Sequence, residues 1–234
     1  MLKPKKKLVK KEIKQDTLVK LSSQATVFYY EHKKYVQYAV VALIVLIGVI
    51  YVMRKNRTEA NEKATSDLSK VMAIYEAGGT DPQQYKLAIS GQPERGIVGL
   101  KAIVDNGGGS SAGETARFYL ANAYYFTGQY DDALAQYDNY SGDSPILKAA
   151  AYAGLAGCYE VKKDYAKAAS AYERAAGASS GSSTAPEFLS LSARCLGKSG
   201  EKEKAISLLK RIKKEFPTST AAREADRYIA QFSV

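Results

Sequence analysis

Histidine is almost missing from these 234 residues and cysteine is scarce: His32, Cys158 and Cys195 are the whole supply, and there is no Trp. One imidazole cannot build a zinc site, and no Cys-x-x-Cys pair is present to replace it with thiolates. A Ser-His-Asp or Cys-His nucleophile is excluded from everything after residue 32 for the same reason. Two cysteines do not make a disulfide framework, and neither occupies a lipobox. The glycine run GGGSS at 107–111 lacks the Lys of a phosphate-binding loop and closes a helical pattern, so it reads as a linker. No catalytic, cofactor-binding or metal-ligating residue is assigned, and the chain is expected not to be an enzyme.

Acidic residues are few before residue 54, where ten Lys face only Glu12, Asp16 and Glu31, a balance of +7. Residues 54–234 hold 24 basic and 21 acidic residues, a balance of +3. The overall charge of +10 is therefore mostly a property of the first quarter of the chain. A nearly neutral larger part argues against nucleic acid as the main partner.

Long uncharged runs are also rare. The one that stands out is Val36–Met53, VQYAVVALIVLIGVIYVM, 18 residues without a charge. At roughly 1.5 Å per residue it just crosses a bilayer core of about 30 Å. Basic flanks, HKK at 32–34 and RKNR at 54–57, suit headgroups, and Tyr29, Tyr30, Tyr35, Tyr38 and Tyr51 fall where an aromatic belt forms. The run begins too late for a signal peptide, and no small-x-small cleavage site follows it. The Lys-rich tail places the N-terminus on the cytoplasmic side. Three regions are expected: residues 1–35 a basic cytoplasmic tail, 36–53 a transmembrane helix touching membrane lipid, and 54–234 a periplasmic domain. Ala39, Ala42 and Gly48 are small enough to let another membrane helix approach closely.

Before the span, residues 12–31 carry Ile13, Leu18, Leu21, Ala25 and Phe28 at three- to five-residue spacing. They read either as an amphipathic helix on the inner leaflet or as a tail whose lysines only set topology. After the span, Ala60, Ala64, Leu68, Val71, Met72 and Tyr75 continue a helical face that joins the span without a flexible linker, as a stalk. Gly78 and Gly79 end it, and Asp81-Pro82 opens a less regular insertion to Pro93. A further helix is expected from about Gly96 to the glycines at 107–109.

Self-similarity dominates the remainder. Glu114–Thr127 with Asp131–Tyr140, Ala149–Val161 with Tyr165–Ala176, and Pro186–Lys198 with Glu201–Phe216 make three helix pairs. Tyr130, Tyr165 and Lys202 mark equivalent positions 35 and 37 residues apart. A recurrence of this size in paired short helices resembles the tetratricopeptide pattern. Leu120, Ala121 and Tyr124, then Leu155, Ala156 and Tyr159, then Ala193 and Leu196 take the first-helix core positions. Ala133 and Tyr137, Ala168 and Tyr172, and Ala205 and Leu209 follow in the second helices, with Pro145 and Pro217 at repeat ends. Each pair buries one face only, so neighbours must stack, and Thr220–Phe232 with one polar side supplies the cap. The expected fold is all-α: one membrane helix followed by a solenoid of helical hairpins and a capping helix.

The two cysteines fall at equivalent places, where stacked helices stand about 10 Å apart. A disulfide needs Cα atoms within about 7 Å, so two free, buried thiols are expected. First-helix residues left out of the core, Phe118, Asn122 and Tyr125, then Ala153, Gly157 and Glu160, then Ser190, Arg194 and Lys198, line an inner surface. It runs from an aromatic to a basic end and suits an extended peptide or a partner helix. In the plainer reading, Phe118 and Tyr125 only pack against the insertion around 78–94. KRIKKEF at 210–216 reads as a solvated surface.

The basic tail, single span, continuing helix and degenerate repeat pairs together resemble the YfgM family, ancillary subunits of the SecYEG translocon in bacterial inner membranes. The closing AISLLKRIKKEFPTSTAAREADRYIA looks like that of versions from the Bacteroidota and Chlorobi lineage. The resemblance implies association with a SecYEG-type translocon and with a PpiD-like membrane-anchored chaperone, and no catalysis. The long tail and the glycine breaks at 78–79 and 107–109 depart from the family's pattern. A competing expectation is an envelope scaffold for another assembly, such as outer-membrane biogenesis or a secretion system.

Overall fold

The computed structural model describes residues 29–233. They divide into two units, with the boundary between Lys55 and Asn56. The expected tail helix, with Ile13, Leu18, Leu21, Ala25 and Phe28, lies outside the described residues.

In the first unit the chain is helical and forms the opening part of α1 (Lys33–Ala77). Its apolar window has a mean hydropathy of 2.5 and none of it is buried, so this helix is long and apolar enough to cross a membrane. Ala39, Ala42 and Gly48 lie exposed on its surface, and nothing surrounds the position of a Cβ on Gly48.

The second unit begins within α1, where Ala64, Val71 and Ile74 are buried at helical spacing. Asn61 Oδ1 accepts a hydrogen bond from the Ala112 amide at 2.9 Å, tying this stretch to the start of a later helix. Residues 78–98 are more ordered than their composition predicts. Asp81 caps α2 (Gln83–Ser90), accepting at 3.0 Å from the Gln83 amide and at 3.0 Å from the Gln84 side chain. Pro82 stands just before that helix with φ −58°, an angle already helical, so the dipeptide that looks like a breaker is a helix start. Two residues of β1 (Gly91–Gln92) then pair antiparallel with β2 (Ile97–Val98) around a 3-10 turn at Pro93–Arg95. Gly96 takes φ 66° there, which delays α3 (Leu100–Gly107) to four residues beyond the expected start.

Three hairpins follow: α4 (Ser111–Phe126) with α5 (Tyr130–Asp138), α6 (Pro145–Val161) with α7 (Tyr165–Ala178), and α8 (Ala185–Lys198) with α9 (Lys202–Glu215). α10 (Thr220–Phe232) closes the array against α8 and α9. Each helix packs on its sequence neighbours, and the first helices α4 and α6 also meet directly. Leu120, Ala121, Ala133, Leu155, Ala156, Ala168, Ala193, Ala205 and Leu209 are all buried, as the repeat pattern predicts. Alanine at so many of these positions lets the helices approach closely.

The ends of the helices are specified locally. Ser110, Ser144, Asp164 and Ser219 cap α4, α6, α7 and α10 by accepting from amides three residues on. Pro145 is not a repeat end but the first residue of α6, where its missing N–H costs nothing. The three turns inside the hairpins share one geometry. Gly128, Lys163 and Gly200 all have positive φ (79°, 60° and 92°), and the amides of Gln129, Asp164 and Glu201 donate back five residues to Tyr124, Tyr159 and Leu196. The glycine run at 107–109 is likewise a tight corner. A Cβ on Gly113 would collide with the Gly107 carbonyl, so α3 and α4 meet this closely only because residue 113 is glycine, while a Cβ on Gly107 would crowd Ala64 of α1.

Candidate functional site

The first helices of the three hairpins carry the expected partner-binding residues, and several of them are engaged with neighbouring side chains. At one end Phe118, half-buried, makes edge-on contacts with Tyr137 and Tyr140 at 6.4 and 6.5 Å between centroids. The Tyr137 hydroxyl donates to Asn122 Oδ1 at 2.5 Å. Burial pushes the Tyr137 phenol far above the ordinary tyrosine range, so it remains a neutral donor. Tyr75 packs edge-on against Tyr85 and Tyr119 at 5.2 and 5.0 Å, and burial lifts its phenol to about 12. Phe118 and Asn122 are therefore engaged with α5.

Further along, Tyr125 lies against Gly157 of the next hairpin, 3.6 Å from where a Cβ would stand, and packs edge-on with Tyr130 at 5.5 Å. Glu160 sits at the junction of the second and third hairpins. It accepts from the Tyr172 hydroxyl at 2.7 Å and pairs with Lys198 at 3.4 Å. The Lys198 ammonium also stands 5.1 Å from the Tyr165 ring, and the Arg194 guanidinium 5.5 Å from that of Tyr228 on the capping helix. The second half of the face thus joins α6 to α8 through charge. Ser190 is buried and contributes little surface.

Both cysteines are free and buried. Burial pushes the Cys158 thiol up to about 11 and the Cys195 thiol up to about 12, so both stay protonated at neutral pH. Among the described residues no group of three or more His, Cys, Asp or Glu is arranged to hold a metal ion.

The family comparison decides the nature of this array. Two tetratricopeptide-repeat family models match, one over residues 118–183 and the other over 162–225. Residues 118–225 are tetratricopeptide repeats. No curated protein matches the chain. Tetratricopeptide repeats are protein-interaction modules, which fits a face of tyrosine and paired charge. The matched range takes in α5 to α9 and most of α4, and α10 supplies the closing helix beside the last repeat.

Two features of these repeats escape sequence reasoning. Glu114 is buried in the first turn of α4, where its Oε1 accepts from Arg117 Nε at 3.2 Å and its Oε2 from the Ser141 amide at 2.7 Å. It ties the loop after α5 back onto α4. Lys163 holds a left-handed turn that Gly holds at 128 and 200, a signal visible when the three hairpin turns are aligned.

Proposed function

We propose that the protein is a non-enzymatic, membrane-anchored adaptor at the Sec translocon, whose repeat face holds a periplasmic chaperone or an emerging substrate. What carries the reading is the presence in one chain of a helix with a fully exposed apolar window and an array that matches tetratricopeptide-repeat models. The basic residues before the apolar run favour a cytoplasmic N-terminus and a periplasmic array. The translocon and the chaperone enter through the resemblance to the YfgM family. On the array, Phe118 and Tyr125 offer ring edges, while Glu160, Arg194 and Lys198 supply a register of charge for an extended segment or helix. Within the apolar helix, Ala39, Ala42 and Gly48 are small enough to let a partner helix approach closely.

In-membrane crosslinking followed by mass spectrometry tests this. Recovery of a SecY-type channel and a membrane-anchored chaperone is expected, with the chaperone lost when Arg194 and Lys198 are both changed to Glu. Recovery of outer-membrane assembly or secretion components in their place would refute the translocon assignment. Protease protection addresses the topology separately: digestion of residues after 54 from the cytoplasmic side would overturn it.

A further inference from the structure

A different surface lies where α6 begins and α7 ends. Ile146 is 80% exposed, the most exposed large hydrophobic side chain among the described residues. Nothing local requires an apolar residue there, because Ser144 already caps α6 and Pro145 already sets its first turn. Ile146 forms one wall of an apolar cleft of about 410 Å³, with Pro145, Ala149, Ala150, Ala178 and Phe188 around the rest. On the other side of Pro145 and Ala178 is a polar pocket that contains Asp143, Lys148 and Arg174. Arg174 is stacked 4.2 Å from the Tyr152 ring and pairs with Asp138 at 3.8 Å. The patch therefore carries a projecting apolar side chain, a hole for one, and charges of both signs. A strongly charged partner finds no matching field here.

We propose that this patch is a two-fold interface between two copies of the chain, in which each Ile146 enters the other's cleft and each Lys148 meets the other's Asp143. An isologous contact requires one surface to be complementary to itself, and an apolar side chain projecting from the rim of its own cleft, flanked by opposite charges, meets that condition. The inference is independent of the proposed translocon partners, because it uses neither the first-helix face nor the apolar helix.

The test uses the full chain in detergent micelles. Mild oxidation of the Ile146→Cys variant should give a covalent dimer about tenfold more abundant than that of Val161→Cys at the far end of α6, since the two-fold axis passes near residue 146 alone. The native thiols are buried and provide a silent background. In the Ile146→Cys background, Lys148→Glu and Asp143→Lys should each reduce the crosslink, and the two together should restore it. Crosslinking no better than that of Val161→Cys overturns the proposal, as a dimer held only through the apolar helix would produce. Failure of the double charge exchange to restore the crosslink also overturns it, as does crosslinking of Ile146→Cys only to other polypeptides. Circular dichroism confirms that each variant is folded, which the exposure of residue 146 leads one to expect.

Discussion

Replacing Glu114 by Ala should be among the most damaging single changes in the array that remove no large apolar side chain. The Glu114 side chain is 5% exposed and its partner Arg117 18%, so their pairing is poorly screened. Removing one member of such a pair costs about 3–5 kcal/mol, because the other charge remains buried. Arg117 keeps a bond from its guanidinium to the Gln136 side chain at 3.1 Å and retains some solvent contact, which favours the lower figure. The Ser141 amide loses its 2.7 Å acceptor as well. A total near 3 kcal/mol lowers the midpoint of a unit of this size by roughly 6–12 °C. Thermal unfolding followed by circular dichroism at constant detergent concentration measures it. The exposed Lys101–Asp105 pair on α3 is the internal control, since both side chains are 61% exposed and Asp105→Ala should cost at most about 0.5 kcal/mol. A Glu114→Ala midpoint no lower than that of Asp105→Ala would refute the idea that this carboxylate anchors the loop after α5.

Glycine positions on α6 should respond in opposite directions. A Cβ at Gly154 would overlap the buried Tyr137 ring, whose hydroxyl is held by Asn122, so Gly154→Ala should destabilise by about 1–3 kcal/mol. At Gly157 the nearest atom is 3.6 Å away, and Gly157→Ala should stabilise by roughly 0.5–1 kcal/mol; denaturant titration reads both. Lys163→Gly relieves a left-handed lysine and should raise stability by roughly 0.5–1 kcal/mol in the same assay. Alkaline pH should unfold the array early. Burial lifts Tyr75 to about 12, Cys158 to about 11 and Cys195 to about 12, so the unfolded chain releases these protons first. The stabilisation is whole below the ordinary thiol value of 9.0 and declines as pH rises through 11 to 12. Helical circular dichroism that stays unchanged through pH 12 would contradict this.

Much of the fold was legible because its core positions recur. Leu120, Ala121 and Tyr124 announce a helix by their spacing, and Leu155, Ala156 and Tyr159 repeat it 35 residues later. The equivalence of Cys158 and Cys195 likewise separates the thiols without coordinates. α2 was hidden because Asp81-Pro82 has two local meanings, and only the direction of the Asp81 side chain distinguishes a cap from a break. Glu114 reads in sequence as an acidic residue near a helix start, favourable but unremarkable. Its burial depends on the loop at Ser141, 27 residues away, which no local pattern encodes. The partner face was legible as a set of positions. Which of those side chains are occupied with their own hairpin, as Asn122 is with Tyr137, depended on the second helices.

Tyr137 and Tyr172 occupy the same place in successive hairpins, yet their hydroxyls reach back to residues that are not equivalent, Asn122 and Glu160. Ahead of Tyr137 stands Gly154, four residues before Cys158, while four residues before Cys195 the chain has Leu191. Each hairpin is thus fitted to one particular successor. Excising residues 145–181 in register would present Leu191 where Tyr137 needs empty space, and the joint would not close. These repeats are not interchangeable bricks. The array would have to be lengthened or shortened at its joints together with its units, and grafting a hairpin from it into a consensus scaffold would require carrying the glycine of the following hairpin along.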